Sequence, residues 1–342
     1  MKQTAVVVAP GRGTYNREEL GYFARHHAGQ SALMARFDGY REALGQEKLS
    51  ELDGAARFSG SRFTRGDNAS GLIYACAYAD FLAIDRETFD ILGVTGNSMG
   101  WYIALACAGA LDVMNGFEVV NTMGTLMHEN MIGGQLIYPF VDENWQAIPG
   151  EREKIETAVA EINRRDGHVL GLSIDLGGML VLAGNDSGLA AFEAEMPVVQ
   201  GRFPMRLPGH AGFHTAMQAP VAAQGQARLT EDLFAAPDLP MIDGRGAIWH
   251  PKAANPADLR AYTLGHQVVE PYDFSAAIRV AARELMPDVF IVLGPGTTLG
   301  GAVAQSLVSC GWRGWTDKAD FKAAGSRMLS MGLADQRALV TG

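Results

Sequence analysis

Three times along the chain an apolar, strand-like run meets a glycine turn and passes into a helix-like stretch. The first two are "TAVVVAPGRG" (residues 4 to 13) and "FDILGVTGNSMGWYIALACAGAL" (89 to 111); the third is "DVFIVLGPGTTLGGAVAQSL" (288 to 307). A continuous β-branched run such as Val6-Val7-Val8 suits a strand covered on both faces, as in a parallel sheet. Strand, glycine turn and helix in repetition predict an α/β fold whose loops gather at the carboxyl ends of the strands, where ligands bind.

Between the second and third repeats the pattern changes. "GGQLIYPF" reads as a strand, 152 to 167 as a helix with a polar face and 179 to 185 as a strand. "DSGLAAFEAEM" reads as a second helix and "VVQGRFPMRL" as another strand. That order predicts a small α+β insertion of the split βαβ type. Residues 316 to 342 read as a helical tail.

Whole-chain properties narrow the function. The formal charge of -10 over 342 residues argues against a general nucleic-acid binder, which needs clustered Lys and Arg. Cys76, Cys107 and Cys310 have neither metal-ligand spacing nor a disulfide framework, and the first two read as small buried hydrophobes. The N-terminal apolar run is too short for a signal peptide, and no segment approaches a membrane span. The expectation is a cytoplasmic protein without metal, acting neither on nucleic acid nor in a membrane.

The second repeat carries Gly96-Asn97-Ser98-Met99-Gly100. Gly-x-Ser-x-Gly alone is a weak signal, since turns favour both residue types. Its place between a strand and a helix is the setting a nucleophile elbow requires, with Ser98 exposed at the helix N-terminus. A nucleophilic serine needs a base. Of the eight histidines, His214 lies in the Pro- and Gly-bounded loop "LPGHAGFHTAMQAP", the kind of setting where active-site residues lie. It comes well before the C-terminus, unlike the histidine of an α/β-hydrolase.

Together the motifs resemble the malonyl-CoA:acyl carrier protein transacylase family, which includes the acyltransferase domains of fatty-acid and polyketide synthases. The family's opening Pro-Gly-Gln-Gly loop is matched by "APGRGTYN", and its Gly-His-Ser-x-Gly-Glu-Tyr motif by "GNSMGWYIALACAGALD". Its His-x-x-x-x-x-Pro stretch is matched by His214 to Pro220, its Gln-(x)₃-Pro by Gln267 to Pro271, and its Gly-Pro-Gly by "LGPGTTLGG". The match runs from about Val6 to about Gly301. The resemblance implies a hydrolase-like α/β core, residues 1–130 and 202–342, with a ferredoxin-like subdomain, residues 131–201, inserted. It also implies that Ser98 is acylated by a thioester, with His214 as general base and then acid. The backbone N–H groups of Arg12 and Met99 would form the oxyanion hole, and a main-chain carbonyl near Gln267 would orient the histidine. No cofactor is implied. The substrates would be acyl-CoA and a phosphopantetheinyl acyl carrier protein, in a ping-pong cycle. Arg164, Arg165, Arg202 and Arg206 are the basic residues expected to meet an acidic carrier.

Departures from the family bear on the acyl group. Members that take malonyl carry an arginine in an Arg-Gly-x-x-Met segment; here "NTMGTLM" puts Met123 at that position, and no arginine lies between Arg86 and Arg152. A buried carboxylate without a cation is costly. Asn97 and Trp101 replace the motif's histidine and glutamate, and Phe213 precedes the base. These four residues predict a re-shaped pocket for a non-carboxylated acyl group, acetyl or longer. The alternatives are a malonyl transacylase in which Arg12 supplies the missing cation, an editing thioesterase using the same Ser–His pair, and a non-catalytic scaffold protein.

Overall fold

The computed structural model describes residues 2–342. Its strands are β1 (Gln3–Ala9), β2 (Phe89–Gly96), β3 (Gly134–Pro139), β4 (Leu170–Leu176), β5 (Met179–Gly184), β6 (Met205–Arg206), β7 (Met241–Ile242), β8 (Ile248–Trp249), β9 (Tyr272–Asp273), β10 (Val289–Val292) and β11 (Met328–Ser330). They form two sheets. The larger runs β11-β10-β1-β2-β7-β8, parallel except for the short β7–β8 pair. β1 and β10 lie inside it, each paired on both sides, and Ala5 to Ala9 and Val289 to Val292 are buried. Their unbroken apolar runs follow from that: a parallel strand covered by helices on both sides has no face to give to water.

The helices that matter to the site are α1 (Gly66–Ala83), α2 (Gly100–Cys107), α3 (Val113–Glu129), α4 (Glu151–Asn163), α5 (Asp186–Glu195), α6 (Ala219–Arg228) and α7 (Thr298–Ser309). Every residue of α2 is buried, which explains a sequence with no polar face. After α2 the chain turns at Gly109 (φ +78). It restarts at Asp112, whose side chain accepts from the N–H groups of Met114 and Asn115 and so caps α3.

The smaller sheet runs β6-β3-β5-β4-β9. β3, α4, β4, β5, α5 and β6 follow one another in the chain, and the spatial order of their strands is that of a split βαβ, ferredoxin-like unit. β4, which pairs antiparallel with β5, is absent from the sequence reading; Gly171, Ser173 and Asp175 break its apolar run. The small sheet also reaches beyond residues 131–201. Met205–Arg206 pairs with β3, and Tyr272–Asp273 adds in parallel beside β4. A second correction concerns the tail, which is not helical throughout. β11 joins the large sheet beside β10, because Leu329 can bury itself there against the core. Among the described residues no helix is long and apolar enough to cross a membrane.

Candidate active site

Three glycine loops leave the carboxyl ends of β1, β2 and β10 and meet. The packing leaves no room for side chains. A Cβ on Gly11 would lie 2.6 Å from the Asn97 carbonyl oxygen, and one on Gly100 2.3 Å from that of Ala9. One on Gly96 would lie 2.2 Å from the Gly100 carbonyl oxygen. These close approaches are the physical need behind the Gly-x-Ser-x-Gly spacing. They hold Ser98 at φ +56, a left-handed conformation that costs an L-residue on the order of 1–2 kcal/mol. The result is a serine at the tip of a strand-to-helix turn, at the N-terminal end of α2.

His214 reaches Ser98 from the far loop. Its Nε2 lies 2.7 Å from Ser98 Oγ, and its Nδ1 lies 2.7 Å from the main-chain oxygen of Gln267. A carbonyl only accepts, so Nδ1 carries the proton and Nε2 presents a lone pair to the serine hydroxyl. Burial holds the imidazole pKa down to about 4, opposed in part by the Gln267 carbonyl. The imidazole is therefore neutral at pH 7, with a lone pair free to accept from the serine hydroxyl. His214, like Ser98, sits at positive φ, +57. Gln267 follows a wide helical turn, Tyr262–His266, and acts twice. Its carbonyl orients His214, while its side chain donates from Nε2 to the Ser98 carbonyl oxygen (3.0 Å) and accepts from Tyr102 (3.0 Å).

Two cavities meet at Ser98. One, of about 20 Å³, is enclosed by α2, α3 and the catalytic loop, and is lined by Tyr102, Val120, Gly124 and Met127 among others; it holds about one water. The other, of about 330 Å³, runs between the two sheets under Ile137, Ile174, Met179 and Val181. Ser98, Arg12 and Phe213 line both.

Arg12 is the cation of the site. Its Nη2 donates to the carbonyls of Thr64 (2.7 Å) and Gly209 (3.0 Å), and its guanidinium lies over the Phe213 ring at 5.4 Å. Nε and Nη1 are buried without a partner. Burial lowers its pKa to about 10, with the charge of Asp67 opposing; it stays charged at neutral pH. Among the described residues no carboxylate pairs with it, since Asp67 is taken by Arg65 at 3.0 Å.

No family model matches the chain. The malonyl CoA-acyl carrier protein transacylase of Salmonella typhimurium is 23% identical over 208 residues, covering 61% of this chain; the chain spans 63% of that relative's length. A phenolphthiocerol/phthiocerol polyketide synthase component of Mycobacterium tuberculosis is 24% identical over 312 residues, 89% of this chain and 18% of that protein. The solved malonyl-CoA:ACP transacylase of Synechocystis sp. PCC 6803 superposes with a TM-score of 0.76 over 99% of this chain and 100% of its own, at 17% identity. The chain has the fold of the solved malonyl-CoA:ACP transacylases and a distant sequence similarity to the curated ones.

Within that fold the predicted site residues divide into two groups. Ser98, His214, Gln267, Met99, Arg12, Phe213 and Asn97 come together around the cavities. Asn97 Oδ1 is buried and unpartnered there. Trp101 and Met123 do not line either cavity, and their placement in a substrate pocket is corrected. Trp101 is fully buried, donates from Nε1 to Thr263 (2.9 Å) and meets Tyr262 edge-on. Met123 is fully buried with its sulfur turned toward Gly225 of α6. The motif places both on the right helices, but a helix turns successive residues by about 100°, and these two point into packing rather than the cleft. Of the basic residues near the subdomain, Arg165 is paired with Glu195 and Arg206 with Glu193.

The sequence reading passes over Tyr102, Tyr272, Gln135, Ser173 and His210. Tyr272 donates to the Gly96 carbonyl (2.6 Å) and packs 5.4 Å from the His214 ring. Only Tyr102 carries a signal, its place four residues after the serine on α2.

Proposed function

We propose that the protein is a serine acyltransferase that takes an acyl group from a coenzyme A thioester and passes it to the thiol of an acyl carrier protein. The observation that carries this is the 2.7 Å contact of Ser98 Oγ with a neutral, oriented His214. His214 takes the serine proton as Oγ attacks the thioester carbonyl, and returns it to the departing CoA sulfur. The N–H groups of Met99 and Arg12, neither of which has a loop or cap acceptor, receive the oxyanion. The carrier thiol then attacks the acyl-serine by the same steps in reverse, regenerating Ser98. The name of the Salmonella relative supports the carrier as acceptor.

The acyl group is read differently from the sequence expectation. The expectation of a neutral group leans on Met123 and Trp101, whose side chains are turned away from the cavities, as well as on Asn97 and Phe213, which line the larger one. A guanidinium with two buried, unpartnered donors stands beside the nucleophile instead, and a carboxylate on the acyl group would give one of them a charged acceptor. The reading is thus a carboxylated acyl group anchored by Arg12.

Intact-mass measurement after incubation with malonyl-, acetyl- and longer acyl-CoAs tests it, with and without carrier protein. The expected result is a malonyl adduct on Ser98, absent in Ser98→Ala and reduced at least about 10-fold in Arg12→Gln. Acetyl-CoA labelling as efficient as malonyl-CoA labelling sinks the Arg12 assignment. Adduct loss without carrier protein means a hydrolase, and no adduct from any donor means a scaffold.

A further inference from the structure

The loop that carries His214 is tied to the small sheet by a buried line of polar side chains that the reaction itself does not use. His210 Nδ1 lies 2.8 Å from Gln135 Oε1, Gln135 Nε2 donates to Ser173 Oγ (2.7 Å), and Ser173 Oγ donates to the Phe213 main-chain oxygen (2.8 Å). Every link has one allowed direction. An amide oxygen only accepts, so His210 carries its proton on Nδ1; the Gln135 amide then donates to the serine, and the serine hydroxyl is free to donate onward. Gln135 on β3 and Ser173 on β4 are buried to within 2%. His210 lines the larger cavity at the other end.

Where this line ends gives it meaning. The Phe213 carbonyl belongs to the peptide bond that enters His214, and the orientation of that peptide is set by the φ of His214, which is held at +57. A non-glycine residue keeps such a conformation only when its surroundings hold it from more than one side. The Gln267 carbonyl fixes the ring, and Ser173 fixes the peptide. Sheet positions facing a core are ordinarily apolar, and a buried amide next to a buried hydroxyl is stable only because each is satisfied by the next.

We propose that Ser173, backed by Gln135 and His210, is a positioning residue for the catalytic base, so that the small subdomain sets the reach of His214 toward Ser98. The proposal rests on the reading of Ser98 and His214 as nucleophile and base. Without the Ser173 hydroxyl the Phe213 peptide is free to turn, His214 relaxes from its strained conformation, and its ring leaves the buried position.

The variants are Ser173→Ala, Ser173→Thr and Gln135→Leu, with folding checked by circular dichroism. The first readout is the acylation of Ser98 by a thioester. Ser173→Ala is expected to lower kcat by about 10- to 100-fold, the scale of a slightly misplaced base, with KM changed less than about twofold. Ser173→Thr, which keeps the hydroxyl, restores it, and Gln135→Leu shifts it in the same direction as Ser173→Ala. The second readout needs no substrate: the titration of His214 by NMR of isotope-labelled histidine. Its midpoint is expected to rise by about one pH unit in Ser173→Ala as the ring gains solvent. The other ionisable groups beside it, Arg12, Tyr102 and Tyr272, are unaltered in these variants. A folded Ser173→Ala protein with an unchanged His214 midpoint overturns the proposal. If wild-type Ser98 accepts no acyl group at all, the proposed function fails and the titration still decides this one.

Discussion

Gln267 serves the site with its main chain and with its side chain, and the two roles can be separated. Gln267→Leu keeps the carbonyl that orients His214 but loses the bonds to Tyr102 and to the Ser98 carbonyl. Unpairing those buried groups is expected to cost about 1–3 kcal/mol of stability in denaturant unfolding, while the acyl-serine still forms. An unmeasurably slow Gln267→Leu enzyme of normal stability would show that the side chain takes part in the chemistry. The same scale fixes the pH behaviour. In the proposed role of base His214 would work only when neutral, and burial has brought its pKa from 6.5 to about 4. Acylation should therefore be flat from neutral pH to about pH 5 and fall as pH drops through about 4. The stability contribution has the same sign. Above pH 6.5 neither folded nor unfolded chain binds the proton. Between 6.5 and 4 the unfolded chain takes it and the folded chain does not, so stability declines on acidification across that window. His210, held down to about 3 by burial and by Arg12, adds to the decline in the same direction.

At the scale of elements, the elbow depends on backbone contact between β1 and the start of α2. Gly100→Ala puts a methyl 2.3 Å from the Ala9 oxygen, with backbone on both sides and nothing flexible to yield. It is expected to cost about 1–3 kcal/mol or more, read as a lowered thermal midpoint; an unchanged midpoint would mean the turn is looser than described. Asp112→Ala should remove the cap of α3 at a cost of about 1 kcal/mol without altering acylation. These elements are legible in the sequence because they are local: strand, glycine turn and helix follow one another within a short stretch. β4 and β11 are not. Gly171, Ser173 and Asp175 disguise the first, and the second is a strand only because β10 offers it an edge. The same reason hides the line from His210 through Gln135 and Ser173 to Phe213, whose successive members lie 75, 38 and 40 residues apart in the chain. Motif matching likewise brings Met123 and Trp101 to the right helices without telling which way they face.

Across the whole molecule, the C-terminal segment is built into the core. Arg337 donates to Asp80, which is fully buried on α1 and also accepts from Tyr22 (2.8 Å) and from the Gly294 N–H (2.8 Å); His27 Nε2 lies 2.7 Å from the same carboxylate. Gly294 opens the glycine loop after β10, so the segment braces one wall of the catalytic cleft from behind. Arg337→Ala takes the arginine away from a buried carboxylate that keeps Tyr22, His27 and the Gly294 N–H, and is expected to destabilise the fold by about 3 kcal/mol, measured by denaturant unfolding. A loss below about 1 kcal/mol would mean that the cluster is open to water.

Ser98 and His214, the proposed nucleophile and base, share a conformation that glycine would adopt without strain. Ser98→Gly should give a protein with a higher melting temperature than its parent and no acyl adduct. Idleness would thus be the thermodynamically easier course for this chain.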